Sequence, residues 1–348
     1  MAIFRSRSRH ATAEPGDIAP AIVELVRHGH LELIPTPKAY LQFGALPASS
    51  TVSVTCSPAK DIEATLDLAA QLQDLGHTVI PHLAARMIEG PDHVARIATW
   101  LNSHGVRDVF VIGGDAPEPH GPYVDAEGLI RALIESNANL TNVGFGGYPE
   151  GHATIPLGAL AASITDKQAL LDAAGVGGWV STQMCFDTKA VTRWITTSRN
   201  NGLHLPIHLG IPGVIDTTKL LTMGAKLGIG ASLRYLRKNR AVVSKLAAPG
   251  GYDPMEMLRP LAREFDALHI SALHVFTFNQ VANTTAWRGA VIGEARPAAI
   301  TTAAMASITS ASTTGASTTA ASTTATTTTT TTTTTVTHEG MYSHGLSV

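Results

Sequence analysis

The sequence lacks most of the features that mark specialised protein classes. Its 348 residues include two cysteines, Cys56 and Cys185, each within an apolar run and neither in a Cys-x-x-Cys pair. A disulfide framework and a zinc knuckle are therefore excluded, and a reducing cytoplasm is the expected compartment. No apolar run approaches the roughly 18 residues needed to span a bilayer, and the N-terminus has no secretory h-region, so neither membrane insertion nor export is expected. Basic and acidic residues nearly balance, 25 against 27, giving a net charge of −2. Nucleic-acid domains need a clustered basic excess, so nucleic acid is not an expected partner. There is no Gly-x-Gly-x-x-Gly after a strand-like run and no Walker loop, which removes support for a Rossmann dinucleotide site or a P-loop.

What is present falls into three parts. Residues 1–18, with Arg5, Arg7 and Arg9 among serines, read as a flexible basic segment, a short transit peptide being the alternative. Residues 296–348 collapse into Ala, Ser and Thr, ending in the homopolymer Thr326 to Thr335. Nothing in that composition offsets the entropy of ordering it, so it reads as a low-complexity disordered tail. Residues 19–295 remain for one folded domain.

That domain alternates apolar runs with segments of helical period. The runs are Leu31–Thr36, Thr51–Ser57, Thr78–Leu83, Asp108–Asp115, Asn142–Pro149, Gly178–Asp187, Leu205–Pro212 and Leu273–Asn279. Between them lie Asp61–Gly76, Pro91–Gly105, Ala126–Ser136, Asp166–Ala174, Thr188–Asn201 and Asp216–Leu227, with apolar residues three and four apart. Eight strand-then-helix repeats predict the α/β class and a single (β/α)8 TIM barrel rather than an open sheet. Leu268–Ile270 competes with Leu273–Asn279 for the last strand.

Active sites of such barrels lie at the C-terminal ends of the strands. Polar residues late in the runs are Glu32, Thr55, His82, Asp115, Tyr148, Glu150, His152, Gln183, Thr277 and Asn279, all expected to face one mouth. Glu32 is the only charge in the first run. Desolvation raises a carboxyl pKa toward the range of a general acid, although an outward-facing ion pair is the plainer alternative. Asp115 follows Gly113-Gly114, where glycines let a flat ligand approach and the carboxylate can accept two N–H donors from an amidine-like edge; a helix or turn cap is the alternative. Gln183 both donates and accepts, which suits a heterocycle edge, yet a lone strand glutamine is more often structural. His82, Tyr148 and His152 are equally open to structural roles. Fifteen histidines, with His28-Gly-His30 among them, raise a metal site. That pair precedes its run, and His204 and His208 open theirs, so no metal is expected.

Taken in order, these residues resemble the methylenetetrahydrofolate reductase family from about residue 31 to 292. Leu31-Glu-Leu-Ile-Pro is similar to the family's first strand, Ser53-Val-Thr to its second and Pro81-His-Leu to its third. Gly114-Asp-Ala-Pro, Tyr148-Pro-Glu-Gly-His and Thr182-Gln-Met-Cys-Phe-Asp are similar to three further motifs, giving six in order. The resemblance implies reduction of 5,10-methylenetetrahydrofolate to 5-methyltetrahydrofolate by NADH or NADPH. It implies Glu32 as the acid that assists ring opening, with Asp115, Gln183, Thr277 and Asn279 toward the folate. Thr55, His82, Gly114, Tyr148 and His152 fall toward the cofactor. The departures concern FAD, which most members carry. Gly113 stands where a basic residue precedes Gly-Asp, Cys56 where an aromatic follows the second-strand Thr, and Leu170 near an expected helix cation, with Lys167 one turn away. Two routes stay open, hydride through bound FAD or directly from the nicotinamide, and the missing cations favour the direct one. A barrel metallohydrolase and a folate-binding protein without turnover are the readings from other classes. The sequence does not encode an oligomeric state.

Overall fold

The computed structural model describes residues 19–57, 60–226, 232 and 252–293. The expected basic segment at 1–18 and the Thr-rich tail at 296–348 lie outside them. Eight parallel strands close into a barrel in the order β1 to β8, with β1 paired to both β2 and β8. The strands are β1 His30–Leu33, β2 Thr51–Val54, β3 Thr78–Ala84, β4 Asp108–Ile112, β5 Asn142–Gly147, β6 Gly177–Thr182, β7 Ile207–Pro212 and β8 Ile270–Phe276. The helices are α1 Pro20–Arg27, α2 Pro37–Tyr40, α3 Ile62–Asp74, α4 Pro91–Ser103, α5 Ala126–Glu135, α6 Leu157–Ala174, α7 Thr188–Asn200, α8 Thr217–Lys226, α9 Met255–Leu261 and α10 Val281–Ile292. No described helix is long and apolar enough to cross a membrane.

Local chemistry sets these boundaries. Asp61, Asp125 and Asp187 are N-caps whose carboxylates accept from the backbone N–H groups of Ala64, Gly128 and Lys189 at 3.0, 2.9 and 3.0 Å, starting α3, α5 and α7. α6 starts nine residues before the expected Asp166, because Leu157–Ile164 carries no charge to mark an outer face. The last strand spans the end of one competing stretch and the start of the other. Its neighbour β1 begins at His30, so that histidine belongs to the strand and does not precede it.

The barrel interior is lined by rings. Trp179 stacks on His208 at 5.1 Å and 21°, His30 meets His208 edge-on at 4.9 Å, and Phe110 lies 6.2 Å from Trp179. Gly144 makes this possible, since a Cβ there would sit 2.2 Å from the Trp179 indole. Burial, and then the nearby His274, pushes the His30 imidazole down to about 3. Burial, followed by His30 and His274, holds His208 well below its ordinary value.

These imidazoles predict acid sensitivity. Above pH about 6.5 they are neutral whether the chain is folded or not and contribute no pH dependence. Below that pH the unfolded chain takes up protons that the barrel refuses, so stability falls as pH drops from about 6.5 toward 3. Each fully buried imidazole steepens the fall by about 1.4 kcal/mol per pH unit, with less expected from His30, which is only half-buried. Denaturant unfolding of His208→Asn at pH 7 and pH 5 should show a shallower dependence than wild type. Equal slopes would refute the assignment.

Candidate active site

Glu32 lies inside the barrel on β1, 5% exposed, with its Oε2 3.0 Å from Nε2 of His274 on β8. The β1–β8 register pairs Glu32 with Phe276 and His30 with His274, so the imidazole sits one pleat below the carboxylate and reaches up to it. His82 enters from β3, its ring 4.7 Å from Phe110 and 5.8 Å from His274. His274 is the residue of this cluster that the sequence patterns did not single out. It stands second in Leu273–Asn279, too early for a rule that inspects only strand ends. The available signal was its being the one polar side chain in Ala272-Leu-His-Val-Phe.

A second group forms beyond β4 and β5. Gly114 turns the chain with φ +93° and approaches Ala84 so closely that a Cβ would lie 3.0 Å from the alanine Cβ. The loop is held by Arg86, whose Nε and Nη2 donate to the carbonyls of Ala116 at 2.7 Å and Pro117 at 2.5 Å, while its backbone N–H donates to Gly113 at 2.8 Å. Asp115, half-buried, is thereby placed near Tyr148 and His152. Tyr148 is buried, meets His152 edge-on at 5.3 Å, and its hydroxyl finds no hydrogen-bond partner among the described residues. Burial, then the Asp115 charge, raises the Tyr148 phenol well above its ordinary range. Burial lowers His152, with Asp115 opposing.

Gln183 sits just past β6, buried, with Oε1 accepting from Met184 N–H at 2.8 Å, which leaves its NH2 uncommitted among the described residues. Thr55 directs its hydroxyl at the neighbouring Cys56 carbonyl, 3.3 Å away.

Thr277 and Asn279 behave differently from the rest. The Thr277 hydroxyl donates to the Glu32 carbonyl. Asn279 accepts from Ile34 N–H at 2.9 Å and donates to the Ile34 carbonyl and the Thr36 hydroxyl at 3.0 Å each. Their polar atoms join the end of β8 to the end of β1, so within the protein they already have partners.

Lys167 also departs from the place considered for it. It is 1% exposed, with Nζ 4.8 Å from the centre of the Phe145 ring. Gly144 faces the lumen, so Phe145 faces the helices, and the lysine lies between sheet and helix layer rather than over the mouth. Burial pushes its ammonium down to about 8 against the pull of Asp125, Glu127 and Asp166. A flavin pyrophosphate at the Asp115 cluster would thus meet Gly113 in place of a cation and an Arg86 whose Nε and Nη2 are already spent on carbonyls. The cluster therefore offers a pyrophosphate fewer cationic donors than the family resemblance implies.

Residues 43–286, more than half of the chain, match the methylenetetrahydrofolate reductase family. Among curated proteins, the chain is similar to Methylenetetrahydrofolate reductase (NADH) 1 of Arabidopsis thaliana, with 23% identity over 236 residues, which covers 62% of this chain and 38% of that protein. It is also similar to Methylenetetrahydrofolate reductase 2 of Saccharomyces cerevisiae, with 24% identity over 199 residues, covering 50% of this chain and 30% of the relative. The matches span well under half the length of either relative.

Proposed function

Because the chain belongs to the methylenetetrahydrofolate reductase family, we propose that it reduces 5,10-methylenetetrahydrofolate to 5-methyltetrahydrofolate, with the hydride passing directly from a reduced nicotinamide nucleotide. The observation that carries this reading is the buried carboxyl of Glu32 held against His274 inside the barrel. Opening the five-membered ring breaks the bond between the bridging carbon and N10 and leaves an iminium at N5. That step needs one proton on N10, which Glu32 supplies. The iminium carbon then accepts hydride and becomes the methyl group.

His274 orients the acid. When its Nε2 carries hydrogen it donates to Oε2, which leaves Oε1 for substrate. Asp115, on its Arg86-braced loop beyond β4, accepts from the amidine-like edge of the pterin, and the NH2 of Gln183, uncommitted among the described residues, lies two strands away at the end of β6. The Tyr148 hydroxyl, buried without a partner among the described residues, is a further donor toward a bound ligand. A nicotinamide that dissociates after each turnover tolerates a weakly held pyrophosphate, whereas a resident flavin does not. This asymmetry supports the direct route. The name of the Arabidopsis relative specifies NADH, which makes NADH the donor to test first. The cytoplasm stays the proposed location.

The test is NADH oxidation dependent on methylenetetrahydrofolate, using protein whose absorbance shows no flavin. We expect activity that added FAD leaves unchanged. Activity only after FAD addition would overturn the direct route, and none in either case would overturn the reductase reading in favour of folate binding alone.

A further inference from the structure

Three metal-capable side chains from strands far apart in sequence converge inside the barrel. One ligand atom each of Glu32, His82 and His274 lies within 4.8 Å of the others, and all three residues are buried. We propose that this triad binds a zinc-class divalent cation and that the bound ion switches off the proton donor.

The donor set selects the ion. One carboxylate and two imidazoles form the three-protein-ligand zinc arrangement, in which water takes a fourth position. Calcium and magnesium need several oxygen ligands, and only one of the three groups offers oxygen. The affinity order of nitrogen-rich sites places zinc, copper and cobalt well above magnesium.

The geometry needs little rearrangement. Two ligands of a tetrahedral ion with arms of about 2.0 to 2.1 Å stand about 3.3 Å apart. The Glu32 Oε2 to His274 Nε2 separation of 3.0 Å is already close to that. His82 has to approach by on the order of 1 Å, within reach of a small side-chain rotation. Phe110, 4.7 Å from the His82 ring, and Phe276, 4.9 Å from the His274 ring, provide an apolar wall around the ion. The ion takes the place of the proton shared between Oε2 and Nε2, so binding releases a proton. Binding stands apart from the reductase reading; the loss of turnover rests on it, because a Glu32 coordinated to metal cannot deliver a proton to N10.

The experiment begins with chelator-stripped protein titrated with cobalt(II). We expect the visible absorption of a tetrahedral nitrogen–oxygen site, saturating at one equivalent, displaced by zinc(II), and abolished in His82→Gln and His274→Gln but retained in the surface variant His204→Gln. No absorption under excess cobalt, or absorption that survives both barrel substitutions, would overturn the site. X-ray absorption of the zinc-loaded wild type needs no variant and should count two imidazoles; any other number is equally fatal. In the NADH assay, saturating zinc should cut the rate by about 10²-fold or more, with recovery on chelation. A cobalt site that forms without slowing turnover would keep the metal site and overturn Glu32 as the acid.

Discussion

Glu32→Gln is expected to lower kcat by about 10² to 10⁴-fold while folate affinity changes no more than a few-fold, the signature of a lost general acid. Glutamine keeps the shape of the side chain and can still hydrogen-bond His274 across the 3.0 Å contact, so packing survives while the transferable proton is lost. Rapid-mixing measurement of hydride transfer, with separate equilibrium binding of the folate, distinguishes chemistry from binding. A variant that turns over at the wild-type rate would remove Glu32 from the reaction. One that loses affinity as much as rate would make it a binding residue.

The second large effect concerns stability. Asn279→Ala removes two bonds to Ile34 and one to Thr36. It also places alanine at φ +55°, a conformation in which asparagine is among the better tolerated side chains. Unpaired backbone groups at Ile34, together with the strained φ, sum to about 3 to 5 kcal/mol. For a domain of this size that corresponds to a fall in Tm on the order of 10 °C. Denaturant unfolding checks the value, and Asn279→Asp, which keeps the acceptor and loses the donors, should fall between. A loss under about 1 kcal/mol combined with a raised KM for folate would return Asn279 to the substrate-binding role that its position first suggested.

Most of the architecture was legible because strands of a parallel barrel are covered on both faces and read as near-continuous apolar runs. Their ends were less so. Gly178–Asp187 runs past the ladder, which stops at Thr182, because the mouth loop carrying Gln183 and Met184 is itself buried. Within the site, Glu32 and Asp115 could be found from local signals, a charge in an apolar strand and a carboxylate after two glycines. The partners of Thr277 and Asn279 lie about 245 residues away, and no local pattern reports a hydrogen bond of that span. The position of Lys167 could have been anticipated from its spacing with Leu160, Ile164 and Leu171, all on the buried face of α6.

The Glu32–His274 contact closes a loop of 242 residues, joining the first strand of the barrel to the last. Contacts of such separation carry a large closure entropy. A nascent chain that has emerged through β7 contains Asp115, Tyr148 and Gln183 but lacks His274, so the proposed acid pair is complete only once β8 is present. Under the proposed mechanism turnover reports ring closure: any truncation, permutation or slipped register that parts β8 from β1 should abolish methylenetetrahydrofolate reduction even where the remaining strands stay paired.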